Sequence, residues 1–145
     1  MERADTYKDL SIIAMDILYN MQKPVLIVCG PISTGGKGNV QANLEVFHKT
    51  IQKLTDMDKN IFNQMPFEKH LGRLQAKSEG SKEEKNQALL DGFYKPLYKS
   101  GCIKKFYFIH GWESSQGARW ERDMAKELGI EVEDLPESFL YQSTE

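Results

Sequence analysis

Apolar residues recur along this chain with two different periods, and the alternation between them predicts strands set between helices. Leu10, Ile13, Ala14, Ile17 and Met21 stand at helical spacing with Asp9, Asp16 and Asn20 on other faces, so Thr6 to Met21 reads as an amphipathic helix with Pro24 marking its end. Val25-Leu26-Ile27-Val28-Cys29 is short, β-branched and apolar throughout, the pattern of a strand buried on both faces. A glycine-rich loop from Gly30 to Asn39 follows. Val40, Leu44, Phe47, Ile51 and Leu54 then trace a helical stripe, with Asn39 available as N-cap. Asn60 to Met65 reads as a short second strand ended by Pro66, and Phe67 to Leu74 as one or two helical turns. Between Gln75 and Gln87 almost nothing is apolar, so this stretch is either a solvated helix surface or a mobile connection. Ala88, Leu89, Leu90, Phe93 and Leu97 resume a helical pattern that Pro96 should bend or end. Lys105 to His110 reads as a third strand, Gly117 to Leu128 as its helix, and Ile130 to Val132 as a short last strand.

Strands alternating with helices predict an α/β fold in three layers: a doubly wound, flavodoxin- or Rossmann-like, mostly parallel sheet of about four to five strands with helices on both faces. No repeat or linker divides the chain, so residues 1–145 are expected to form a single domain, with the helix in residues 1–22 added before the first strand. Ligands in such folds bind outside the carboxyl ends of the strands. If the strands ending at Cys29 and His110 are neighbours, Ser33, Thr34, Gly35 and Gly36 share one crevice with Trp112, Ser114, Ser115 and Glu121.

Composition narrows the partners. A formal net charge of −2, with Lys and Arg scattered rather than striped, gives no general attraction to a nucleic-acid polymer. The two cysteines suggest small buried residues in a reducing compartment. The first residues lack a signal pattern, and no apolar run approaches the roughly 20 residues that span a bilayer, so a cytoplasmic protein without a membrane partner is expected.

Two segments carry candidate chemistry. The loop after the first strand holds four glycines beside Ser33 and Thr34 and can turn backbone N–H groups toward a phosphate or sugar at a helix N-terminus. It lacks the Gly-Lys-Ser/Thr ending of a Walker loop and the Gly-x-Gly-x-x-Gly order. Asn43, one turn into the next helix, points either at the crevice or into solvent. In the second segment Ala118, Glu121, Met124, Ala125 and Leu128 fall at steps of three and four, so Glu121 shares the stripe that faces the sheet. A carboxylate there is costly unless paired or used, which leaves two readings: a buried partner of Arg119, Arg122 or a backbone amide, or a catalytic group. Asp91 precedes Tyr94 and Tyr98 on one stripe. No His, Cys and carboxylate spacing matches a metal site, and Ser114-Ser115 lacks a nucleophile-elbow sequence.

Cys29-Gly30-Pro31-Ile32-Ser33-Thr34-Gly35, then Asn43, and Gly111-Trp112-Glu113-x-Ser115-x-Gly117-Ala118-x-x-Glu121-x-x-x-Ala125 resemble the nucleoside 2-deoxyribosyltransferase-like superfamily, especially its small bacterial and phage members, from Val25 to Ile130. The resemblance implies that Glu121 attacks the anomeric carbon of a nucleoside, expelling the base and forming a glycosyl-enzyme that water or a second base resolves, the logic of a retaining glycosidase. It also implies an aspartate that assists the departing base, with Asp91 the nearest match. Gly30, Pro31, Ser33 to Gly36, Asn43, Ser114, Ser115 and Gly117 are then expected around the sugar or phosphate, and Trp112 against the base. Two features depart from the superfamily. Its first-strand tyrosine, which orients the nucleophile, is replaced by Val25 to Val28, so that role is empty or filled by Tyr107, Tyr94 or Tyr98. The first helix is an addition that either serves a homo-oligomer contact, usual in the superfamily, or covers one face of its own sheet. The expected activity is cleavage or transfer of the N-glycosidic bond of a nucleoside or nucleoside 5′-monophosphate without metal or redox cofactor. The alternatives are a non-catalytic nucleotide-binding module or a structural oligomer.

Overall fold

The structure, a computed structural model, describes residues 1–142. Helix α1 (Tyr7–Asn20) is started by a reciprocal cap in which Thr6 accepts the Asp9 N–H and the Asp9 carboxylate accepts the Thr6 N–H. Its buried face is Leu10, Ser11, Ala14 and Leu18, one position away from the predicted stripe, and Ile17 is 40% exposed. Ile12, Ile13, Met15, Ile17 and Leu18 put apolar side chains all round this helix, so periodicity alone cannot choose the inward face.

Three strands, β1 (Val25–Cys29), β2 (Ile103–Phe108) and β3 (Glu131–Asp134), form a parallel sheet in that spatial order. Val28 pairs with Tyr107 and Cys29 with Phe108, while Phe106 pairs with Val132. The predicted strand at Asn60 to Met65 is reduced to one parallel bridge, Ile61 to Leu26. The sheet therefore has three strands rather than four or five. The cause is Pro66, which does not stop a strand but sits in the first turn of helix α3 (Met65–Ala76), where its missing N–H costs nothing.

Helix α2 (Val40–Asp56) begins as expected, with Asn39 accepting the Ala42 N–H at 2.8 Å. The polar stretch from Gln75 to Gln87 is largely helical. It contains the end of α3 and most of helix α4 (Lys82–Leu89), which Ser81 and Glu84 cap reciprocally. The chain then widens into a π-helical turn (Leu90–Tyr94) before helix α5 (Lys95–Lys99). Pro96 falls in the first turn of α5, and the wide turn before it, with Lys95 N–H donating to the Leu90 carbonyl, carries the helix past the proline without ending it.

Helix α6 (Gln116–Leu128) buries Ala118, Glu121, Met124 and Ala125, four of the five residues of the predicted stripe, with Leu128 half-buried against the core. Val28, Tyr107 and Ile109 pack with Phe47, Ile51 and Leu54 of α2 and with Leu135 and Phe139 on one face of the sheet. Ile27, Cys29, Phe106 and Phe108 pack with residues of α1, α3, α5 and α6 on the other. Among the described residues no helix is long and apolar enough to cross a membrane.

Candidate functional site

Because β1 and β2 are neighbours, the loops leaving their carboxyl ends meet. The Gly36 N–H donates to Ser114 Oγ at 2.8 Å, and the Gln116 N–H donates to Thr34 Oγ1 at 3.0 Å. Gly35 and Gly36 have φ of 67° and 63°, and a Cβ on Gly35 would run into the Ser114 backbone. Asn43 is buried rather than aimed at a crevice or at water. Its amide donates to the Ile32 and Gly35 carbonyls at 3.0 and 3.1 Å and its Oδ1 accepts the Lys37 N–H at 2.8 Å. Thr34, Gly35, Gly36, Asn43 and Ser114 thus form a clasp that locks the two loops together.

Beneath the clasp lies a cavity of about 480 Å³, of the size that holds small ligands. Of the predicted residues, Gly30, Ser33, Ser115, Gly117 and Glu121 line it. Gly30 allows the close approach of Ile109, since a Cβ there would lie 2.8 Å from Ile109 Cδ1. Pro31, Trp112 and Asp91 do not line the cavity. Trp112 packs on Phe108 at 5.3 Å under the Arg122 guanidinium at 4.7 Å, so its ring is already occupied. Asp91 is exposed on the π-helical turn, where its carboxylate accepts from Gln87 Nε2 at 3.2 Å, because the widened turn rotates it away from Tyr94 and Tyr98. The remaining walls mix apolar Leu44, Phe47 and Leu89 with polar His48, Lys69, Gln75 and Asn86.

Glu121 is 6% exposed and has no cationic partner among the described residues. Arg119 donates to the Glu113 carbonyl and Arg122 pairs with Asp134, so the reading of Glu121 as their partner does not hold. Instead the Tyr98 hydroxyl donates to Oε2, and the Cys29 thiol at the end of β1 lies beside the same carboxylate. Burial, and to a smaller extent the charge of Glu68, push the Glu121 carboxyl up to about 7 against the downward pull of Tyr98 and Cys29. Burial also raises the Tyr98 phenol and the Cys29 thiol well above their ordinary values, so both stay protonated.

A second carboxylate lines the same cavity. Glu68 of α3, half-buried, accepts from Tyr94 Oη at 3.3 Å, and burial pushes it up to about 7 as well. Nearby, Gln64 donates through Nε2 to the Val28 carbonyl at 2.8 Å and leaves Oε1 buried without a partner. Glu68 escaped the sequence reading, although it follows Phe67 and stands one turn before Leu71, the same flank of an apolar stripe that marked Glu121. Among the described residues no group of three or more His, Cys, Asp or Glu side chains is arranged to hold a metal ion.

Residues 25–134 match the model of DUF4406, a domain of unknown function. No curated protein and no solved structure matches the chain.

Proposed function

The chain belongs to the DUF4406 family, and for this member we propose cleavage or transfer of the N-glycosidic bond of a nucleoside or nucleoside 5′-monophosphate, with Glu121 as the nucleophile. The observation that carries this reading is a carboxylate 6% exposed on the wall of a ligand-sized cavity, held by a phenol beside a thiol rather than by a cation. Burying such a group costs stability, and a module that only binds has no use for it.

In the reaction the C1′–N bond breaks with its electron pair going to the base, while a Glu121 oxygen forms the bond to C1′. Tyr98 engages Oε2, and the attack is assigned to the other carboxylate oxygen. Water or a second base then displaces Glu121 from C1′. Low hydration strengthens the interaction between the carboxylate and the developing oxocarbenium charge. Tyr98 takes up the orienting role that the resemblance assigns to a first-strand tyrosine. Ser33, Ser115 and Asn86 are suited to sugar hydroxyls, and Leu44, Phe47 and Leu89 to the face of a base.

Assembly into a homo-oligomer is part of the same proposal. Helix α1 buries Leu10, Ala14 and Leu18 in its own core yet leaves Ile12 and Tyr19 exposed. Incubating the protein with a panel of nucleosides and 5′-monophosphates, with and without an acceptor base, tests the activity. Release of free base by the wild type and its loss in Glu121→Gln are expected. Equal release by a folded Glu121→Gln variant overturns the assignment.

A further inference from the structure

Glu68 has no part in the chemistry above, yet it repeats the arrangement of Glu121. Each carboxyl accepts a phenol hydroxyl, Glu121 from Tyr98 and Glu68 from Tyr94, and the two rings stack with centroids 5.8 Å apart and 28° between their planes. Tyr94 and Tyr98 are four residues apart across the junction of the π-helical turn and α5, which is what brings them together. Both carboxyls line the same cavity.

The two couples differ in donors. Glu121 accepts from Tyr98 with the Cys29 thiol beside it, while Glu68 accepts from Tyr94. Two carboxyls on one cavity resist ionising together, so near neutral pH the pair shares a single proton, and when Glu121 is the ionised member Glu68 holds it. We propose, resting on the assignment of Glu121 as nucleophile, that Glu68 is its acid–base partner: its carboxyl proton passes to the leaving base as the C1′–N bond breaks. The Glu68 carboxylate so formed then takes a proton from the water that attacks C1′ and displaces Glu121. Base and sugar leave with one water consumed, and both carboxyl groups return to their starting states. Besides Tyr94, which donates to it, the titratable groups that share the cavity with Glu68 are Lys69 on its own helix, His48 on α2 and Glu121 on α6. Raising the pH removes the Glu68 proton, so cleavage of ordinary nucleosides has an alkaline limb that belongs to this residue.

The test compares the best nucleoside of the panel with 4-nitrophenyl β-D-ribofuranoside and its 2-deoxy analogue, whose leaving group departs without a proton. Glu68→Gln, checked for folding by circular dichroism, is expected to lose about 10²–10⁴-fold in kcat/KM on the nucleoside, less than about tenfold on the nitrophenyl glycoside, and the alkaline limb. Glu68→Asp is expected to recover part of the nucleoside rate. Glu121→Gln loses both substrates, which keeps the two assignments separable. Equal losses on both substrates in Glu68→Gln, an unaltered nucleoside rate, or a wild type that cleaves the nitrophenyl glycoside but no nucleoside overturns the role of Glu68 and leaves Glu121 standing. Cleavage of neither by the wild type overturns both.

Discussion

The clasp and the cavity wall beneath it are made of different materials and respond to different forces. Thr34, Gly35, Gly36, Asn43 and Ser114 are small, polar and fully engaged with one another and with backbone, so the clasp is a closed hydrogen-bond network that fixes two loops. The wall holds Glu121 and Glu68, large ionisable groups whose hydrogen-bond donors are tyrosine hydroxyls and which form no ion pair among the described residues. The first arrangement stabilises the fold and the second strains it. A loop dense in glycine and serine therefore marks how the crevice is shaped, and a carboxylate on an apolar stripe marks where chemistry is available.

The largest effect that separates the two regions is on stability at alkaline pH. Glu121 is raised from its ordinary value of 4.5 to about 7 in the folded protein, so the folded state binds its proton more tightly than the unfolded state does. Its contribution is fully present below 4.5 and is lost as pH rises through about 7, a difference on the order of 3 kcal/mol. Urea denaturation of the wild type should show stability falling between pH 5 and pH 8. In Glu121→Gln the slope should flatten, so that the inactive variant is the more stable protein at pH 8. An unchanged slope would mean that Glu121 is already solvated.

Next in size is Gly35→Val. A β-branched residue at φ 67° with its Cβ against the Ser114 backbone breaks the clasp. The expected destabilisation is about 2–4 kcal/mol, read as a lower melting temperature, with surviving folded protein also losing the cavity's shape. A variant that melts with the wild type would show that the two loops are not locked. The smallest effect belongs to Asp91→Asn, which changes an exposed side chain outside the cavity. Stability should move by less than about 0.5 kcal/mol and base release by less than about twofold. A hundredfold loss of activity would return Asp91 to the site.

The sequence made some of this architecture plain and hid the rest for physical reasons. Val25 to Cys29 is uniformly apolar and bounded by Pro24 and Gly30, so β1 could only be a buried strand. Asn39 before a regular stripe marks the start of α2. Glu121 stood out because α6 is strongly amphipathic and its other charged residues keep to the outer faces. Pro66 misled because proline both ends strands and begins helices, and the choice depends on what the following residues pack against. Helix α4 was hidden by its polarity, its only buried residue being Asn86. Asn43 and Trp112 look alike in sequence to ligand-binding residues, but each is satisfied within the protein, by loop carbonyls in one case and by Phe108 and Arg122 in the other. Tyr98 meets Glu121, and Glu68 joins it on the wall of one cavity, only through tertiary packing. A proline-interrupted helix had to be joined across a π-helical turn before Tyr94 and Tyr98 lay together.

The central claim is that Glu121 bonds to the sugar. Rapid acid quenching during turnover of the best nucleoside, followed by peptide mass analysis, measures that bond directly. A peptide containing Glu121 that gains the mass of one glycosyl group, on Glu121 and in proportion to base released in the first turnover, is the predicted result. Steady release of base with the Glu121 peptide unmodified, and with a folded Glu121→Gln variant still active, would contradict the account.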